Sequence, residues 1–138
     1  MAGIDKSIET LASNGPRVTP QDIEANIASE HYFTASDGVV GVMAIRDALG
    51  RKPGDNVTVA IAGDIPDPLE LLTFCVLVLK NGFTVTGESA CASPENFNAG
   101  IGRKIARANA VTKVWPLLGY QLRERLHAEA SYGCGSAA

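Results

Sequence analysis

Arg103, Lys104, Arg107 and Lys113 lie on one predicted helix, and their spacing is the chain's clearest chemical signal. Arg103 and Arg107 are four residues apart, so a helix sets both on one face, about 200° around from Ile101. Two guanidiniums so placed can fork onto a phosphate or a pyrophosphate. The plainer use of such charges is a solvated basic face. A second signal is aromatic. Phe74 and Phe83 share one face of a predicted hairpin, where they either pack a core or offer a platform to a base.

Patterns for other chemistries are incomplete. Gly100-Ile101-Gly102 lacks the third glycine of a dinucleotide fingerprint, and no strand closely precedes it. Ser89 lacks the second glycine of a nucleophile elbow. Cys91 has no base nearby in sequence. Asp64, Asp67 and Glu70 are interleaved with Pro66 and Pro68, which reads as an ordinary acidic loop. His31 and His127 fall outside zinc-ligand spacing, so no metal and no cofactor is expected. No two carboxylates are placed for acid–base work. The expectation is a binding protein and not an enzyme.

The elements that must hold these residues follow from bulk properties and local pattern. A chain of 138 residues is one domain's length and can bury a core without disulfide or metal staples. Cys75, Cys91 and Cys134 are an odd count without CxxC spacing, which suits free thiols in a reducing cytosol. No apolar run reaches the ~18 residues of a membrane span. Residues 1–13 do not have the pattern of a secretory signal. The net charge of −3 hides an asymmetry, with acids in excess before residue 73 and bases in excess after it. The C-terminal half therefore reads either as one end of a dipolar surface or as an anion-binding surface.

Residues 1–18 form an arm ending in Asn14-Gly15-Pro16. Thr19-Pro20 reads as N-cap and first helical residue of a helix to about Ser29. Residues 31–34 have strand character and stop at Ser36-Asp37-Gly38. Residues 39–49 read as a helix and 57–62 as a strand. Residues 71–79, Asn81-Gly82 and 83–89 predict a hairpin on a two-residue type I′ turn. That pairing sets Phe74, Val76, Val78, Phe83 and Val85 on one face, and Cys75, Leu77, Leu79, Thr84, Thr86 and Glu88 on the other. A long helix follows over 97–126, opened by Ser93-Pro94 or capped by Asn96 or Asn98. Ile101, Ile105, Ala108, Trp115, Leu122 and Leu126 share one side of it. Pro116 predicts a kink or break. The tail from 129 is rich in small residues and expected to be flexible.

Several blocks in this order resemble a known family. They are Leu72 through Phe83, Thr86-Gly87-Glu88-Ser89-Ala90, Pro94-Glu95-Asn96-Phe97, Gly102-Arg103-Lys104-Ile105-Ala106 and Trp115-Pro116-Leu117-Leu118-Gly119-Tyr120. Together, over about residues 19–126, they resemble small tailed-phage proteins whose family includes the type-one Thoeris anti-defence proteins. The resemblance implies a sponge that binds glycocyclic ADP-ribose, and in some members cyclic oligonucleotides, without cleaving it. It also implies a homodimer or higher homo-oligomer in the host cytoplasm. The family's pocket uses an aromatic side chain from the sheet and paired arginines from the long helix. Here that implies Phe74 or Phe83 with Arg103 and Arg107; Thr86 and Lys104 are counted with them as candidate ligand-binding residues.

The fold expectation is α+β. A small antiparallel sheet centred on the 71–89 hairpin is packed by a long C-terminal helix and a shorter N-terminal one. Residues 19–128 form the ligand-binding domain. The expected partner is a cyclic nucleotide signal, with no membrane. A nucleic-acid-binding accessory protein, or a structural phage protein with no small ligand, is the alternative. The overall acidity weighs against long nucleic acid.

Overall fold

The structure is a computed structural model that describes residues 15–49 and 65–135, with side chains to residue 132. The elements in order are α1 (Pro20–Asn26), β1 (Ile27–Thr34), α2 (Ala35–Leu49), a 3-10 turn (Asp67–Leu71), β2 (Leu72–Leu79), β3 (Thr84–Ala90), a 3-10 turn (Pro94–Asn96) and α3 (Ala99–Gly135). The expected α+β class, hairpin and long C-terminal helix are all present. The strand expected over 57–62 and most of the N-terminal arm lie outside the described residues. Two compact units divide the chain. Ile27–Lys113 form one, and the described residues up to Asn26 and from Val114 onward belong to the other.

In the larger unit, β1, β2 and β3 form an antiparallel sheet in that order, with β2 central. Cys75, Leu77 and Leu79 of β2 and Val85 of β3 are buried on one face. Gly87 lies opposite Cys75 on that same face. A Cβ at Gly87 would stand 2.1 Å from the Ala106 carbonyl oxygen and 2.3 Å from the Ala110 nitrogen. The backbone of α3 therefore rests directly on the sheet at a position only glycine can occupy. Gly102, Ala106 and Ala110 form the buried stripe of α3 in this unit.

That stripe corrects the expected helix face. Ile101 is 57% exposed and Ile105 46%, and Trp115 also points to solvent. Hydropathy favours the large side chains as the core face. Close approach to Gly87 favours the small ones, and packing geometry decides. Thr73 is buried against Gly102, and its hydroxyl has no hydrogen-bond partner. Among the described residues of the smaller unit, Ile23, Val114 and Leu118 are buried.

The hairpin turn also differs from expectation. Val78 pairs with Thr84 and Leu77 with Val85. The Leu79 N–H donates to the Phe83 carbonyl (2.8 Å), and the Gly82 N–H to the Leu79 carbonyl (2.9 Å). The loop is thus three residues, Lys80-Asn81-Gly82, with only Gly82 at positive φ (88°). A type I′ turn needs two positive φ angles, whereas this loop places one glycine in the left-handed region after a turn of ordinary hand. The slip of one residue moves every β3 side chain to the other face. Val85 is buried with Cys75 and Leu77, and Thr86 and Glu88 join Phe74.

Local capping explains the other boundaries. Thr19 and Asp22 exchange hydrogen bonds: the Thr19 N–H donates to Asp22 Oδ2 and the Asp22 N–H to Thr19 Oγ1. These bonds hold the Asp22 carboxyl below its ordinary range. α1 ends at Asn26, short of Ser29, because Ile27 already pairs with Leu79. Thr34 and Asp37 repeat the same box, so Ser36-Asp37-Gly38 opens α2 and does not end it. Asn98 caps α3, its Oδ1 accepting the Ile101 N–H; Ser93-Pro94 starts a separate 3-10 turn. α3 passes through Pro116 without a break and continues beyond Leu126.

The Gly87 contact makes a sharp prediction. Gly87→Ala should lose about 3 kcal/mol or more in urea denaturation, because the clash is with backbone. Gly102→Ala is crowded only by the Thr73 hydroxyl, at 3.0 Å, with Thr73 Cβ and the Phe97 ring at ordinary contact distance, and should lose about 1 kcal/mol.

Candidate functional site

Three contacts in the larger unit hold α3 across the sheet. Ala106 and Ala110 rest on Gly87. The Asn109 side-chain amide donates to the Glu88 carbonyl of edge strand β3 (2.7 Å). On the opposite edge, the Arg107 guanidinium pairs through Nε with Glu30 Oε1 of β1. Counting about 100° per residue from Ala106, Arg103 and Arg107 share one flank of the helix and Asn109 lies on the other. Lys104 is exposed farther from the sheet.

Glu30 is on this side because of an irregularity in β1. Ile27 pairs with Leu79, but Ser29 pairs with Val78 and Glu30 with Leu77, so Ala28 is an extra residue. An extra residue shifts the register by one and re-aims the side chains that follow. Without it, Glu30 and Tyr32 would face away from α3. With it, Tyr32 pairs across to Cys75, and its hydroxyl donates to the same Glu30 oxygen that Arg107 meets (3.1 Å). Arg107 and Glu30 are each about one-third exposed, at 29% and 34%.

The electrostatics follow from that chain of contacts. The Tyr32 hydroxyl is pushed up to about 12. Withdrawal from water is the main cause, and Cys75 and the Glu30 carboxylate add to it. Cys75 has no exposed surface, and burial pushes its thiol up. No acid occurs in the sequence from 96 to 123, while Arg103, Lys104, Arg107, Lys113 and Arg123 all fall there. Among the described residues no carboxylate pairs with Arg103 or Lys104. This stretch of α3 is therefore strongly cationic, and Glu30 of β1 brings a carboxylate to Arg107.

The sequence candidates separate into two groups. Arg103, Lys104 and Arg107 stand together on α3. Phe74 and Thr86 lie on the other face of the sheet, where Phe74 is half-buried and its ring centroid is 5.6 Å from that of Phe33. Phe83 is at the loop end, 54% exposed, and does not share a face with Phe74. The structure does not bring Phe74 or Thr86 to the arginines within one chain. Glu30, Tyr32, Phe33 and Asn109 were not singled out in the sequence. The strand character of His31-Tyr32-Phe33-Thr34 was the one trace of the β1 residues. Among the described residues no three His, Cys, Asp or Glu side chains gather as metal ligands, and no helix is long and apolar enough to cross a membrane.

Residues 18–126 match the family model described as the phage protein (N4 Gp49/phage Sf6 gene 66) family. The chain belongs to this phage protein family. The matched span takes in β1, the hairpin and the cationic stretch of α3, so the Glu30–Arg107 bridge lies wholly within the family domain. No curated protein and no solved structure matches the chain.

The Tyr32 environment predicts a high-pH transition. Native Tyr32 keeps its proton where an unfolded tyrosine, near 10, has lost it. Its contribution to stability is full below about 10 and disappears as pH rises through about 12. An ultraviolet titration should show one tyrosinate forming near 12, and Tyr32→Phe should remove that step. Glu30→Gln should move it downward, because the carboxylate's charge is one of the causes that raise it.

Proposed function

We propose that this member of the phage protein family is an anti-defence sponge that binds a cyclic nucleotide immune signal and releases it unaltered. The favoured signal is glycocyclic ADP-ribose, with cyclic oligonucleotides as further ligands. The observation that carries this reading is the cationic flank of α3, whose own sequence has no acid from 96 to 123, fixed on the sheet through Gly87. A pyrophosphate-bearing ligand needs paired guanidiniums on a rigid support, and Arg103 and Arg107 supply them. Tight binding without turnover asks for no nucleophile and no general base. The favoured site of action is the cytoplasm of the infected host, where such a signal is made.

The separation of aromatic and cationic groups bears on assembly. Phe74, with Phe33 beside it, and the arginines lie on opposite sides of one sheet. A pocket that uses both takes its halves from two copies of the chain. α2 supports self-association: it is largely apolar yet carries no buried residue, with Val40, Val42, Ile45 and Leu49 all exposed. In this reading the working protein is a homodimer or a higher homo-oligomer.

Calorimetric titration with glycocyclic ADP-ribose tests the reading. Nanomolar binding is expected, with intact ligand recovered after heating the complex. Arg103→Ala and Arg107→Ala should each weaken binding by at least about tenfold, the scale of one lost charge-assisted contact to phosphate. Absence of binding at micromolar concentration would reject this signal. Titration with a cyclic trinucleotide would then separate a sponge of different specificity from a structural phage protein.

A further inference from the structure

We propose that Glu30 is a built-in counter-anion that occupies Arg107 in the free protein and must yield it when an anionic ligand binds. The inference rests on the reading of Arg107 as a ligand contact and adds the residue that regulates it.

Three observations support it. First, the Ala28 bulge turns Glu30 toward α3; regular pairing of β1 would leave Arg107 without this acid. Bulges beside sites are a recognised means of re-aiming one side chain. Second, the carboxylate is held from two sides, by Arg107 and by the Tyr32 hydroxyl on one oxygen. It is thus held by two partners, one on its own strand and one on α3. Third, the helix it meets carries no acid of its own from 96 to 123.

A carboxylate in that position mimics the charge and acceptor geometry of one phosphate oxygen pair. An anion that approaches Arg107 must either displace it or accept its repulsion. Ligands with several phosphate oxygens can do so because they also reach Arg103 and Lys104, whereas a small monoanion cannot. Glu30 therefore lowers affinity for every anion and most of all for the weakly charged ones, which sharpens selection for phosphate-rich ligands. In a cell full of inorganic anions and mononucleotides, this keeps weakly bound anions off Arg107.

The test is a double-mutant cycle with inorganic pyrophosphate as probe, followed by phosphorus NMR titration of the intact protein. Glu30→Gln keeps the shape and the acceptor oxygen but removes the charge. It should tighten pyrophosphate binding about three- to tenfold, the range for releasing a partly exposed ion pair. Orthophosphate binding should tighten by a larger factor, so the preference for pyrophosphate narrows. In the Arg107→Ala background Glu30→Gln should change neither affinity. An unchanged or weaker affinity in Glu30→Gln, with Arg107→Ala still impairing binding, overturns the role of Glu30 and leaves the anion site standing. If Arg107→Ala does not impair binding, or the parent protein does not bind pyrophosphate, the underlying site reading falls as well. Tyr32→Phe, which loosens Glu30 without removing its charge, should fall between the parent and Glu30→Gln.

Discussion

The larger unit depends on a helix backbone lying against a strand backbone at Gly87. No side chain intervenes there, and the small residues Ala106 and Ala110 are what the sheet meets. This contact sets the rotation of α3 about its own axis. Once the small stripe faces the sheet, Arg103 and Arg107 must lie along one flank and Asn109 along the other. The large apolar residues Ile101 and Ile105 are left facing outward. A helix seated on its isoleucines would have carried the arginines to a different place.

The position of the cations is therefore a result of packing, and their chemical surroundings come from the neighbouring strand. β1 contributes Glu30 and Tyr32 to the α3 side only because of its extra residue, Ala28. The result is a short relay from a buried thiol at Cys75, through a phenol, to a carboxylate and a guanidinium. The carboxylate helps keep the phenol protonated, and burial keeps the thiol neutral. One residue of register in β1 and one of loop length before β3 decide which groups meet α3 and which face away with Phe74.

Much of the secondary structure was legible in the sequence. The apolar run 71–79 and Asn81-Gly82 announce the hairpin, and Thr19-Pro20 announces α1. The α+β class and the long C-terminal helix follow from periodicity. Facing was not legible, for physical reasons. A two-residue and a three-residue hairpin loop both suit Asn-Gly, and whether Asn81 adopts positive φ decides between them and so sets the register. A bulge leaves no compositional trace in Ile27-Ala28-Ser29. Hydropathy cannot report that a glycine on a distant strand prefers alanines over isoleucines on its partner helix. Of the candidate site, the arginine pair was visible because i, i+4 spacing survives any rotation of the helix. The Glu30 contact was not, because it joins residues 77 apart in sequence.

β1 itself has no slack at either end. Asn26 closes one helix and Ile27 opens the strand; Thr34 ends the strand and is also the cap of the next helix. No linker residue exists in which a shift of frame could be absorbed. Insertion or deletion of a single amino acid between these points would turn Glu30 and Tyr32 to the wrong side or dissolve a cap. The segment from Asn26 to Thr34 is thus a ruler of fixed length, whose frame survives a substitution and not a change of length.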